Sequence, residues 1–308
     1  MTSSREKSPL ERRTVRIPTP DGEHIDAWLY EPDGPGPHPA VVMGHGLGAA
    51  KVCGLAPFAE RFCSEGFTAV VIDYRGFGES TGYPRDVISV PRERADYSAA
   101  IGWTAAQPTV DQQRIFAWGT SFAGMHVTAL AAMDARLAGA VAQVPLVDGF
   151  AGMKKTKPRR AIRLLAFVLA DVAASLLGRE PIYLPINVKP GQWGLIAAHD
   201  SALALKLLEP REPARWFNRI AARSLLSIAM SRPIRHAASI RIPILVVVSE
   251  TDTSAPVGPA LRVAELAARS ELHRSKGGHY DVYEGGCAFE HTLDVEVEFL
   301  SRHAGITK

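Results

Sequence analysis

Apolar and polar residues alternate through TVRIPTPDGEHIDAWLYEP, residues 14–32, around the pair Asp21-Gly22. Alternation about a central Asp-Gly predicts two half-exposed strands joined by a tight turn. Further along, the texture changes. PAVVMGHG, FTAVVIDYRG, RIFAWGTS, LAGAVAQVPL and IPILVVVSETD are short, continuous runs rich in Val, Ile and Ala. Such runs predict strands covered on both faces, as in a parallel sheet. Helical spacing falls between them at 57–65, 91–106 and 122–133, and again at 259–269 and 289–303. Pro91 suits the first turn of its helix. The alternation predicts an open, doubly wound α/β sheet, mostly parallel, with an N-terminal antiparallel hairpin.

From about residue 146 to residue 239 the alternation stops. Helix-like blocks at 161–177, 201–208 and 213–230 are separated by proline and glycine, as in REPIYLPINVKPGQWG. No strand pattern stands out there. The expected organisation is a leader at 1–13, a core at 14–145 and 240–308, and a helical cap inserted at 146–239.

Composition bounds the function. The 308 residues are 46% hydrophobic and 22% charged, with a net charge of +3. That reads as globular, and the mild charge with scattered arginines argues against nucleic acid. Cys53, Cys63 and Cys287 offer neither a disulfide framework nor a metal-ligand spacing. The polar start, MTSSREKSPLERR, has no signal-peptide core. The longest apolar run, 164–177, is broken by Asp171 and is short for a stable membrane span. The expectation is a cytoplasmic protein acting on a small-molecule acyl substrate, either alone or as a homodimer.

The candidate chemistry begins at GTSFAG, where Ser121 lies between the run RIFAW and the helical run FAGMHVTALAAM. A serine flanked by small residues at a strand-to-helix turn fits the nucleophile elbow G-x-S-x-G, with Ala123 in the second glycine's place and Gly124 next. Small residues that merely let backbones approach would give the same letters. A serine hydroxyl needs a base, and the base needs orienting. Asp252 follows an apolar strand at ILVVVSETD, with Glu250 as its rival. A helix N-cap or an Asx turn before Pro256 is the other reading of Asp252. His279 follows two glycines in SKGGHYDVY, and the other histidines fall in less suitable places. An oxyanion needs two preorganised N–H donors. Phe122, after the serine, supplies one. Leu47, in the loop VVMGHGLGAA, supplies the second, with Gly46 as its neighbour. The glycines of that loop match no nucleotide-binding fingerprint.

Taken together, GHGLG, DYRGFGES, GTSFAG, SETD and GGHYDVY resemble the α/β-hydrolase superfamily. The resemblance implies catalytic roles for Ser121, Asp252 and His279, oxyanion donors at Leu47 and Phe122, and a cap over the site. It implies a structural role for the DYRGFGES turn. QVPLVDG and HYDVY look similar to dienelactone-hydrolase, X-prolyl-peptidase-like and polyketide-transferase groups. Serine at the elbow points to esters or thioesters, as against the Asp of dehalogenases or the Cys of dienelactone hydrolases. Such chemistry requires no metal or cofactor. A peptidase or amidase would share the triad and add a carboxylate for an amine, for which Glu180, Glu209 and Glu212 are available in the insertion. An acyltransferase and a non-catalytic binding protein are the other readings. Trp193 and Trp216 are candidates for pocket lining.

Overall fold

The alternating N-terminal stretch folds as expected. In a computed structural model that describes residues 12–154, 156–197 and 201–306, β1 (Arg12–Pro18) pairs antiparallel with β2 (His24–Tyr30). The turn between them places Gly22 at φ +82°. Strand β1 starts at Arg12, two residues inside the stretch read as leader. Residues 1–11 lie outside the described residues.

The apolar runs become β3 (His38–Gly44), β4 (Thr68–Ile72), β5 (Val110–Thr120) and β6 (Leu137–Gln143). Between them run α1 (Ala56–Ser64), α2 (Val90–Ala105) and α3 (Ala123–Met133). The inserted segment holds α4 (Gly149–Lys154), α5 (Pro158–Leu176), β7 (Tyr183–Pro185), α6 (Ser201–Leu207), β8 (Arg219–Ala221) and α7 (Ser224–Met230). A 3-10 helix at Pro233–Ser239 leads back to β9 (Ile244–Ser249), α8 (Val257–Leu266), β10 (Ser270–Ser275) and α9 (Phe289–Ala304).

The large sheet has the order β1-β2-β4-β3-β5-β6-β9-β10. Its first two pairings are antiparallel and the rest are parallel. Successive side chains of a strand point to opposite faces, so one strand feeds two cores. Ala117 belongs to the core that also holds Tyr97 of α2, Val127 of α3 and Val263 of α8. Its neighbours Phe116 and Trp118 pack with Phe58 and Phe62 of α1 and with Val297 of α9. Burial on both faces explains why the central strands carry no alternation. The edge strand β10, SELHRS, is partly exposed and correspondingly polar.

The insertion departs from the helical expectation in two places. A two-stranded antiparallel sheet pairs Tyr183 with Ala221, Leu184 with Ile220 and Pro185 with Arg219. The block read as one helix at 213–230 is helical only from Ser224. The reason is backbone pairing from elsewhere. Ala221 N–H donates to the Asp86 carbonyl and Ala222 N–H to the Ile182 carbonyl, both at 2.8 Å. Three-residue strands are too short to show a period of two.

Candidate active site

The site is assembled at the ends of β3, β5 and β9, where their loops meet. Ser121 is the first residue after β5 and sits at φ +56°, left-handed backbone that a side chain disfavours by roughly 1–2 kcal/mol. The surroundings hold it there. Its N–H donates to the Gln143 carbonyl at 2.8 Å, and its own carbonyl accepts from Leu146 N–H at 3.0 Å and Gly124 N–H at 3.1 Å. Helix α3 then folds tightly back. A Cβ on Gly119 would lie 2.7 Å from the Ala123 carbonyl, and one on Gly124 would collide with Pro145. These close approaches demand glycine at 119 and 124, while position 123 tolerates alanine.

His279 lies between β10 and α9 and is buried. Its Nε2 is 2.8 Å from Ser121 Oγ, and its Nδ1 is 2.7 Å from Asp252 Oδ2. Gly277 makes the loop possible, because it sits at φ +80° and a Cβ there would strike the Asp281 carboxylate. The Gly277 carbonyl accepts from Thr251 N–H at 3.0 Å, which ties the histidine loop to the acid loop. Asp252 uses its two carboxylate oxygens differently. Its Oδ1 accepts from Ser254 N–H at 2.8 Å and Ala255 N–H at 2.7 Å, forming the Asx turn, while Oδ2 faces the imidazole. Glu250, the rival, is exposed. Asp252 Oδ2 accepting Nδ1–H leaves Nε2 as the acceptor for the serine hydroxyl.

The loop after β3 runs against the serine. A Cβ on Gly46 would be 3.4 Å from Ser121 Cβ. Leu47 borders the small cavity that also touches Ser121. Neither Leu47 N–H nor Phe122 N–H has a hydrogen-bond acceptor among the described residues. Lys51 anchors the far end of this loop. Its side chain is 2% exposed. Its ammonium donates to Asp26 at 2.7 Å and to Asp73 at 2.5 Å, and its N–H donates to Asp73 at 2.7 Å. Burial pushes the Asp73 carboxyl up, but the Lys51 charge and hydrogen bonds outweigh it and hold the carboxyl below its ordinary value. Asp73 opens the DYRGFGES turn, which therefore braces the loop after β3 through Lys51.

The cavity at Ser121 is about 20 Å³, about the room one water needs. Its walls include Cys53, Ile186, Asn187, Ile196, Tyr280 and Tyr283. Burial raises the Cys53 thiol pKa strongly, so it is not a thiolate. Tyr280 hydroxyl donates to Asn187 at 2.9 Å, joining the histidine loop to the insertion. Thr120 Oγ1 is 3.0 Å from the Tyr283 hydroxyl and 2.9 Å from Gln143 Nε2. Ile196 also borders a second cavity of about 520 Å³, flanked by Lys157, Arg160, Gln192, Thr253 and Ser254.

Neither tryptophan joins the cavity at Ser121. Trp216 is half-buried against the core that includes α1, and its indole N–H donates to the Gly48 carbonyl at 3.0 Å. Trp193 stacks against Phe167, with the Arg163 guanidinium 3.8 Å above it. Both brace the insertion. Sequence reasoning passed over Lys51, Asn187 and the two tyrosines. Tyr280 and Tyr283 were legible in HYDVY as residues one and four positions after the histidine. Asn187 carried no signal, since irregular backbone brings it in.

The profile of the X-Pro dipeptidyl-peptidases (S15 family) matches residues 21–281. The chain is 36% identical over 276 residues to the quorum-quenching protein AidA of Acinetobacter baumannii, covering 90% of each. It is 32% identical over 304 residues to the polyketide transferase grgF of a Penicillium species, covering 96% of this chain and 98% of that one. The crystal structure of the α/β-hydrolase GrgF from Penicillium sp. sh18 matches with a TM-score of 0.83 at 30% identity, covering 96% of this chain and 100% of that one.

Proposed function

The chain belongs to the X-Pro dipeptidyl-peptidase (S15) family and is an α/β-hydrolase enzyme, and we propose that it cleaves carboxylic esters or thioesters through an acyl-enzyme on Ser121. The observation that carries the proposal is the relay Ser121 Oγ, His279 Nε2, His279 Nδ1, Asp252 Oδ2, with links of 2.8 and 2.7 Å. Ser121 Oγ attacks the carbonyl carbon as its proton passes to His279 Nε2. The oxyanion takes hydrogen bonds from the Leu47 and Phe122 N–H groups. His279 then gives the proton to the leaving alcohol or thiol, and the acyl group stays on Ser121. Water enters with His279 as base, and the carboxylic acid departs as Ser121 recovers its proton. Asp252 holds the imidazole tautomer throughout. The residues at 146–239 act as the cap, with Ile186, Asn187 and Ile196 closing over the serine.

Ester or thioester cleavage is favoured over removal of N-terminal dipeptides by the charge of the walls. A substrate ammonium needs a carboxylate partner, and among the described residues no acidic side chain lines the cavity at Ser121 or the larger one that shares Ile196 with it. Glu209 and Glu212 border a separate cleft with Arg12 and Trp28, and Glu180 is engaged by Tyr83. Acyl transfer to an alcohol or amine is the second reading, favoured by the apolar lining and by the relative named a polyketide transferase.

A panel of p-nitrophenyl esters, acyl thioesters and dipeptide amides tests the proposal on purified protein beside Ser121→Ala. Turnover of esters or thioesters by the wild type alone is expected. Equal turnover by both proteins, or turnover confined to dipeptide amides, overturns it. Product analysis with added alcohols separates hydrolysis from transfer.

A further inference from the structure

Helix α5 carries apolar residues on the side that faces out. Ile162, Leu165, Leu169 and Leu176 are 69%, 53%, 60% and 84% exposed. Their spacing places them along one face of the helix. The rotation of the helix is fixed by its opposite side. Asp171 is fully buried and accepts from Ile182 N–H and Arg223 N–H, both at 2.8 Å. Turning the leucines inward would pull that carboxylate off both partners. Neighbouring elements extend the apolar surface. Phe150 and Met153 of α4 and Leu226 and Met230 of α7 are exposed, and α7 packs against both α4 and α5. Single exposed leucines are ordinary, but an aligned set on touching helices marks a docking face.

The charge identifies the occupant. Residues 149–170 include Lys157, Arg159, Arg160 and Arg163 and no Asp or Glu. These cations crowd the N-terminal turn of α5, where the helix dipole is already positive and favours acidic residues. They weaken the helix, and while Arg160 donates to the Gly194 and Leu195 carbonyls and Arg163 lies over Trp193, the exposed Lys157 and Arg159 complement an external anion. A second copy of the chain would bring the same cations, and the acidic residues that flank this run are already engaged, Asp148 by Arg232, Asp171 by the Ile182 and Arg223 N–H groups, and Glu180 by Tyr83. An anionic lipid surface supplies both partners at once, apolar chains for the leucines and phosphate for the basic end.

We propose that the outer face of α5 docks the protein on anionic lipid bilayers, lying in the interface plane. No helix among the described residues is long and apolar enough to cross a membrane, so this is surface attachment. The cavity flanked by Lys157 and Arg160 opens at the same end of α5. Docking itself does not depend on the hydrolase reading.

Sedimentation of the full chain with phosphatidylcholine vesicles, with and without phosphatidylglycerol, tests the proposal. Binding to the anionic vesicles only, weakened by salt, is expected. Leu165→Glu/Leu169→Glu should lose that binding by tenfold or more while keeping its melting temperature and its turnover of a soluble ester. Arg159→Glu should weaken binding by about fivefold or more. The gentler pair Ile162→Ser/Leu176→Ser checks the apolar face if the acidic pair misfolds. Absent binding, equal binding to both vesicle types, or unchanged binding by the leucine variants overturns the proposal. So does a wild-type dimer that ignores vesicles and dissociates on Leu165→Glu/Leu169→Glu, which would give this face to a second copy.

Discussion

Replacing Lys51 by methionine tests how the loop after β3, the proposed oxyanion loop, is held. The ammonium is 2% exposed, and its partners Asp73 and Asp26 are 1% and 11% exposed. Methionine keeps the length of the side chain and removes both ion-pair bonds. The carboxylates are then left buried without a cation, which costs about 3–5 kcal/mol where one member of a buried pair is removed. For a chain of this size, that is a fall of about 5–8 °C in melting temperature. The pH dependence supplies the sign. In the wild type the Asp73 pKa is lowered, so its contribution is present above the ordinary carboxyl value of 3.8 and is lost as pH falls through the folded value below it. The Lys51 pKa is raised, since Asp73 and Asp26 outweigh burial, so its contribution is present below 10.5 and lost as pH rises beyond. In the variant the Lys51 charge and its side-chain bond are gone, so burial, which favours the neutral form of Asp73, is opposed only by the remaining backbone N–H donors and His45. The difference between the two proteins should therefore be largest near neutrality and shrink toward about pH 4. Urea unfolding at several pH values measures this, and adding Asp73→Asn should recover part of the loss. Ester turnover should fall mainly in kcat, because misplaced N–H donors affect the transition state more than the bound substrate. A destabilisation under about 1 kcal/mol near neutral pH, or a loss independent of pH, would refute the reasoning.

Three further outcomes are expected. Asp252→Asn should keep the Asx turn through its side-chain oxygen and present the wrong partner to Nδ1, lowering kcat/KM roughly 10³–10⁴-fold in steady-state assays with little change in stability. Gly277→Ala forces a side chain at φ +80° into Asp281 and should shift His279, so activity should fall by more than the melting temperature suggests. Glu296 is fully buried beside the Trp118 indole N–H, and burial pushes its carboxyl up to about 8 from 4.5. Its stabilising contribution is present below 4.5 and is lost as pH rises toward 8, amounting to on the order of 3 kcal/mol at neutral pH. Glu296→Gln should therefore raise stability above neutrality and flatten its pH dependence in thermal melts.

The sequence was most legible where physics leaves a periodic trace. Continuous apolar runs marked the central strands because both faces of each strand are buried. The elbow around Ser121 was readable because tight backbone approach restricts 119 and 124 to glycine. Asp252 and His279 were readable from their positions after a strand and in a glycine loop. The meeting of all three was visible only in three dimensions. The insertion was read less well. β7 and β8 owe their shape to partners far away in sequence, so local periodicity called a helix over part of that stretch. Trp193 and Trp216 looked like pocket residues by size alone, yet their partners turned out to be Phe167, Arg163 and the Gly48 carbonyl. Lys51 escaped notice because an isolated lysine in a sequence looks solvated, and only its burial between Asp26 and Asp73 distinguishes it.

The most direct test of Ser121 as an activated nucleophile is intact-mass analysis after brief exposure to a fluorophosphonate. The wild type should gain one phosphonyl group, mapped to the peptide containing Ser121, while Ser121→Ala should gain none and His279→Ala should react far more slowly. Labelling of Ser121→Ala at the wild-type rate, or a folded wild type that stays unlabelled, would contradict the account.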